Sequence, residues 1–155
     1  MAGAIDARLS DLGIDLPTAA APAANYVPFV RTGNQLFISG QIPLKDGEIV
    51  YKGQLGDRIS VEDGQAGAQL CAINLIAQMR AALDGDLDRV RRVVKLVGFV
   101  NSANGFGDQP NVVNGASDLM VEVFGDKGRH ARSAVGVAGL PFGVAVEVEA
   151  IVEVD

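Results

Sequence analysis

Before the terminal Asp155 the chain alternates without a break. Val144, Val146, Val148, Ala150, Val152 and Val154 fall on one side, and Ala145, Glu147, Glu149, Ile151 and Glu153 on the other. Successive side chains of a β-strand point to opposite faces, so this segment is predicted to be a strand. A helix would scatter the valines around its axis. The fold must therefore contain a sheet with one face in an apolar core. The opposite face carries three carboxylates, which must meet solvent, a ligand or another chain.

The rest of the chain supplies partners for that strand. Tyr26–Arg31 and Gln35–Gln41 read as strands joined by a turn at Thr32-Gly33-Asn34, a hairpin pattern. Pro43–Gly47 reads as a turn before a short strand over Glu48–Tyr51. Ser60 is an expected N-cap, with Glu62 and Asp63 in the first turn of a helix over 61–84. Ala68, Cys71, Leu75, Met79 and Leu83 form its buried stripe. Val93–Val100 is expected to be a strand buried on both faces. A second helix is expected from Pro110, with Val113, Ala116, Met120 and Val123 inward and Gly125 and Gly128 at its end. Arg132–Ala138 is the next strand, and Leu140–Gly143 a turn. The order is β-β-(β)-α-β-α-β-β, an α+β arrangement with two helices on one face of a mixed sheet. A partner subunit is the natural cover for the other face.

Residues 3–12 are expected to form a short amphipathic helix stopped by Gly13, with Pro17–Pro22 as a tether. This divides the chain into an N-terminal extension over 1–21 and one domain over 22–155. The N-terminus carries Asp6, Asp11 and Asp15 and lacks the basic-then-apolar pattern of a secretory signal. No stretch reaches the roughly 18 apolar residues of a membrane span. With a single cysteine, Cys71, an internal disulfide is impossible, and a cytoplasmic location is expected. A net charge of −6 argues against nucleic acid or an anionic membrane as partner.

Most reactive motifs are missing. One His and one Cys cannot close a zinc site, and no metal or organic cofactor is expected. The Asp84–Asp88 run lacks the spacing of a calcium loop and reads as a helix-end turn. The Arg89, Arg91 and Arg92 cluster, without interleaved aromatics, reads as a solvated edge. Cys71 is expected to pack in the core, and His130 to sit at the surface. Arg132 stands apart, because it enters a strand that continues with Ala, Val, Gly, Val and Ala. Small neighbours leave room for a ligand, and the guanidinium fork matches a carboxylate. The competing expectation is an ion pair with Glu147 or Glu149.

Three segments together carry a family resemblance: Ser39-Gly40-Gln41-Ile42-Pro43, Ala131-Arg132-Ser133 followed by Leu140-Pro141, and Val146-Glu147-Val148-Glu149-Ala150-Ile151. In this order and spacing, over roughly residues 22–154, the chain resembles the RidA family of reactive-intermediate deaminases, also called YjgF or L-PSP endoribonuclease-like proteins. The resemblance implies a chorismate-mutase-like fold and a homotrimer with active sites in clefts between subunits. It implies that Arg132 clamps a substrate carboxylate and that Glu147 positions water. It places Tyr26 on the pocket wall, Ser39 and Gly40 along the cleft, Asn114 beside it from the second helix, and Ser133 next to the clamp. Ala134 stands where the family often has Cys, and the N-terminal extension and the Asn101–Asn111 loop are longer than usual.

The implied activity is hydrolytic deamination of imines or enamines derived from amino acids, releasing a 2-keto acid and ammonia. Such a reaction needs a fixed carboxylate, a polarised nitrogen and one placed water. The alternative is a non-catalytic trimer that binds a small carboxylate or a partner protein, in which Arg132 would matter and Glu147 would not. The endoribonuclease activity in one family name is the weakest reading, given the charge and the lack of a His-based acid–base pair.

Overall fold

The computed structural model describes residues 3–155; Met1 and Ala2 lie outside it. It contains three α-helices and seven strands in the order α1 (Ala4–Asp11), β1 (Phe29–Thr32), β2 (Gln35–Gln41), β3 (Leu44–Lys45), β4 (Glu48–Ile49), α2 (Val61–Ala82), β5 (Val90–Asn101), α3 (Gln109–Phe124), β6 (Ala131–Val137) and β7 (Val146–Val154). This is the α+β mixed sheet expected from the order of elements. The strands run β1-β2-β7-β5-β6, and β3 and β4 form a separate small hairpin. The alternating strand β7 is central, antiparallel to both β2 and β5. Strands β5 and β6 are parallel, and α3 makes the crossover that a parallel pair needs.

Helices α2 and α3 cover one sheet face. Val146, Val148, Ala150, Val152 and Val154 are buried beneath them, together with Cys71, Leu75 and Met79 of α2 and Val113, Ala116 and Met120 of α3. Ser60 caps α2 through its hydroxyl, which accepts from the Asp63 N–H at 3.1 Å. The two helices approach closely at Gly115, where a Cβ would come within 2.7 Å of the Gln65 carbonyl carbon. Among the described residues no helix is long and apolar enough to cross a membrane.

The other sheet face is bare. Val30, Phe37, Ile151 and Lys95 form one row across it, with Val97, Glu149 and Ser133 in the next. Phe37 and Val135 are each more than 40% exposed. Strand β5 therefore departs from the expectation of burial on both faces. Val93, Leu96 and Val100 are buried, whereas Lys95, Val97 and Phe99 are only half-buried, because the helices lie on one side alone.

Other boundaries also move. The first strand starts at Phe29 rather than Tyr26. Pro28 has no N–H for a ladder, and the Tyr26 N–H turns back to the Ala24 carbonyl at 2.9 Å. The Pro43–Gly47 segment is more than a turn, since Leu44 pairs with Ile49 and Lys45 with Glu48 around Asp46-Gly47. Helix α2 ends at Ala82, two residues before the expected 84.

The N-terminal segment is packed onto the body. Leu9 is buried in the same core as the sheet. The Asp88 carboxylate accepts from the N–H groups of Ala4 and Ile5 at 3.0 and 2.9 Å, which holds it below the usual carboxylate range. From Leu12 the chain runs without regular structure along α2. Arg80 donates to the Leu16 and Pro17 carbonyls, both at 3.3 Å, and Gln78 to the Ala20 carbonyl at 2.8 Å.

Candidate active site

Two groups of polar residues stand out. The first surrounds Arg132 on the edge strand β6. Arg132 is in register with Leu96 of β5, which is buried under the helices, so Arg132 leaves the sheet toward α3. There its Nη1 donates to Asn114 Oδ1 at 2.8 Å and to Ser117 Oγ at 3.1 Å. Nη2 makes a long contact of 3.4 Å to the Pro110 carbonyl. Asn114 and Ser117 are three apart on a helix and so share a face. No carboxylate touches Arg132: among the described residues the ion pairs are Arg91–Asp155 at 2.6 Å and Arg129–Asp126 at 3.4 Å. The expected alternative, an ion pair with Glu147 or Glu149, is not formed, because both acids point to the opposite sheet face.

His130 belongs to this group and is half-buried, not a free surface residue. Its Nδ1 lies 2.6 Å from the Gly128 carbonyl, an acceptor only, so Nδ1 carries the proton. Nε2 then accepts from the Ser117 hydroxyl at 2.8 Å. This leaves the Ser117 oxygen lone pairs to accept from Arg132. Burial, and then the Arg132 charge, hold the imidazole below its ordinary pKa against the Gly128 bond, which raises it.

The second group lines a cleft of about 540 Å³ that includes Tyr26, Ser39, Gly40 and Glu147. Strand β2 carries one extra residue between the pairs Ile38↔Ala150 and Gln41↔Val148, a bulge at Ser39-Gly40. The bulge presses the backbone against Glu147. A Cβ at Gly40 would meet the Glu147 carboxylate, lying 3.0 Å from its Cδ, so a larger residue there would displace that side chain. The Ser39 hydroxyl donates to the Val27 carbonyl at 2.9 Å, so its oxygen remains an acceptor. Burial, with a smaller contribution from Glu149, pushes the Glu147 carboxyl above the ordinary Glu range.

Within one chain the two groups stay apart. Glu147 is in register with Phe99 and faces the bare side, whereas Arg132 faces the helices. Strand β5 lies between their strands, which separates them by about 10 Å across the sheet as well. Asn114 is thus brought to Arg132, and Tyr26, Ser39 and Gly40 to Glu147. Ser133 neighbours Arg132 in sequence but points to the bare face with Val97. Sequence reasoning missed Ser117 and His130 as members of the Arg132 group. The one available signal was the three-residue spacing of Asn114 and Ser117 on the second helix.

A family model described as "YjgF/chorismate_mutase-like, putative endoribonuclease" matches residues 6–153. Protein TCP17 of Trypanosoma cruzi is 58% identical over 154 residues, covering 99% of this chain and 96% of that protein. The 2-iminobutanoate/2-iminopropanoate deaminase of Dermatophagoides farinae is 31% identical over 144 residues, covering 92% and 95%. Among solved structures, protein Atu1372 of Agrobacterium tumefaciens, described as of unknown function, superposes with a TM-score of 0.92 at 52% identity, covering 97% of this chain and 92% of that one.

Proposed function

The chain belongs to the YjgF/chorismate-mutase-like family, and from that premise we propose that it hydrolyses reactive imines or enamines of amino acids to 2-keto acids and ammonia. The observation that carries this reading is the cleft around Glu147. It holds a desolvated carboxylate beside a hydroxyl acceptor and a bare backbone, yet no lysine or arginine lines it. A cleft for an anionic imino acid needs a cation, and Arg132 has one to offer. Both Nη1 hydrogens are engaged by neutral oxygens, and the edge formed by Nε and Nη2 has the geometry to take a carboxylate side-on.

Because that edge faces away from Glu147 in the same chain, the proposed site is completed by a second copy that brings its Arg132 to the cleft. The bare, partly apolar sheet face is the surface such a copy would cover, and a closed ring of three is the arrangement proposed. Arg132 then fixes the carboxylate, and Ser39 Oγ accepts from the imine N–H. Water adds to the C=N carbon as Glu147 takes its proton and passes it to the nitrogen, and the hydroxyl proton of the resulting carbinolamine then moves through Glu147 to the amine. Collapse of the carbinolamine breaks the C–N bond, with ammonia leaving and the 2-keto acid remaining. A carboxyl with a raised pKa is a stronger base for the first half and holds the proton it must return in the second. Positioning supplies much of the remaining acceleration.

The 2-iminobutanoate/2-iminopropanoate deaminase among the relatives supports the same chemistry. RNA cleavage fits less well, since the net charge is −6 and both ring nitrogens of the single histidine are engaged by Gly128 and Ser117. The test is to generate imines in situ with an amino-acid oxidase and follow ammonia release with and without the protein. Acceleration abolished by Arg132→Ala is expected. Release unchanged by the protein over a range of imines rejects the enzymatic reading and leaves carboxylate binding.

A further inference from the structure

The cleft is larger than the reacting atoms require. Its outer wall is the segment Ala20–Ala24, and the facing wall is Ile42 with Leu44 and Ile49 of the β3–β4 hairpin. Both walls are fixed. Gln78, only 1% exposed, donates its amide to the Ala20 carbonyl at 2.8 Å, and Arg80 ties down Leu16 and Pro17 just before it. Asn74 donates to both the Ile42 and Leu44 carbonyls at 3.0 Å, so its N–H groups brace the hairpin and are not available to a ligand. Gln41 likewise donates to the Ser39 carbonyl at 2.9 Å.

What remains between the walls is mostly apolar. Four of the five strap residues are alanine, whose single methyl leaves space, and the fifth is Pro22. Glu147 at the reacting end is the cleft's one charged lining group among the described residues. We infer that this space is a side-chain subsite for 2-imino acids carrying a branched aliphatic or aromatic side chain, walled by Ala20–Ala24 and by Ile42, Leu44 and Ile49. The inference rests on the imine-hydrolysis reading and deepens it. Charged side chains would enter without a partner and are excluded by desolvation. Each further methylene buried there adds roughly fourfold to binding, so a short substrate forfeits much of what the subsite offers.

The test compares kcat/KM for the imines of leucine, phenylalanine and alanine in the full-length protein, generated by the same oxidase. The leucine and phenylalanine imines are expected to exceed the alanine imine by about tenfold or more. The double variant Ala21→Leu, Ala23→Leu, which fills the space from the strap side, should lower that ratio by about tenfold. Ile42→Ala, which removes apolar surface from the other wall, should lower it as well. Thermal unfolding of each variant confirms that it is folded. A wild-type ratio near one, or variants that lower all three imines alike, would overturn the subsite while leaving imine hydrolysis standing. No turnover of any imine would overturn both.

Discussion

Asn114 Oδ1 accepts from Arg132 Nη1 at 2.8 Å, and with Ser117 on the same nitrogen it determines which edge of the guanidinium is left for a ligand. The anchors are neutral, so among the described residues no carboxylate pairs with the positive charge. A structural arginine paired with a buried acid would show the opposite pattern.

Replacement of Arg132 by Lys keeps the charge but removes the planar fork that holds the Nη1 and Nη2 contacts. Charge-assisted hydrogen bonds contribute roughly 1.5–3 kcal/mol each, so kcat/KM should fall by about tenfold or more. The melting temperature of Arg132→Lys and of Arg132→Ala should stay near wild type, because no acid is orphaned by either change. Near-normal turnover by the Lys variant would contradict the clamp.

On the proposed mechanism Ser117 and His130 would act on substrate only through Arg132, as positioning residues. Ser117→Ala is expected to raise KM for the imino acid more than it lowers kcat, with Ser117→Thr restoring most of the loss. Acid should mimic the alanine variant, since protonated Nε2 can no longer accept from the Ser117 hydroxyl. His130 is depressed below its ordinary value by burial first and by Arg132 second. The acid limb of kcat/KM should therefore lie below the ordinary histidine range. The same depression means that the unfolded chain takes up the proton first. The stability contributed by neutral His130 is present above the ordinary histidine pKa and lost as pH falls through the folded one. An equal loss of kcat and kcat/KM in Ser117→Ala, with no rescue by Thr, would contradict a positioning role.

For Glu147 the sign is reversed. Burial, then Glu149, raises its pKa, so the folded state favours the protonated acid. Its contribution to stability is complete below the ordinary Glu range and is lost as pH rises through the raised value. Glu147→Gln should thus melt higher than wild type at neutral pH while losing nearly all imine hydrolysis. A melting temperature that falls, or activity that survives, would show that the carboxylate has another role.

Legibility from sequence followed periodicity. Strand β7 was readable because every second residue from Val144 to Val154 is apolar, and α2 because its apolar stripe follows a capping serine. The start of β1 lies at Phe29, beyond the expected Tyr26, because Pro28 interrupts a run that is otherwise β-like. The valine-rich sequence of β5 is compatible with cover on both faces, and only the helix layout shows that one face is covered. Arg132 was identifiable from its small neighbours and the family motif. The Gly128–His130–Ser117–Arg132 chain was not, because it joins a helix, a turn and a strand through tertiary packing that no local pattern encodes. Nor does any single-chain pattern say that Arg132 and Glu147 occupy opposite faces of one sheet.

That separation is tested most directly by mixing two inactive proteins. Arg132→Ala keeps the Glu147 cleft, and Glu147→Gln keeps the Arg132 clamp. If each site draws one group from each of two copies, unfolding and refolding the variants together should restore activity that neither shows alone. Random assembly at equal amounts regenerates intact pairs at about one quarter of the interfaces of a cyclic oligomer, so about a quarter of wild-type activity is expected. Mixed oligomers, verified by mass, that remain as inactive as the separate variants would contradict a site shared between subunits.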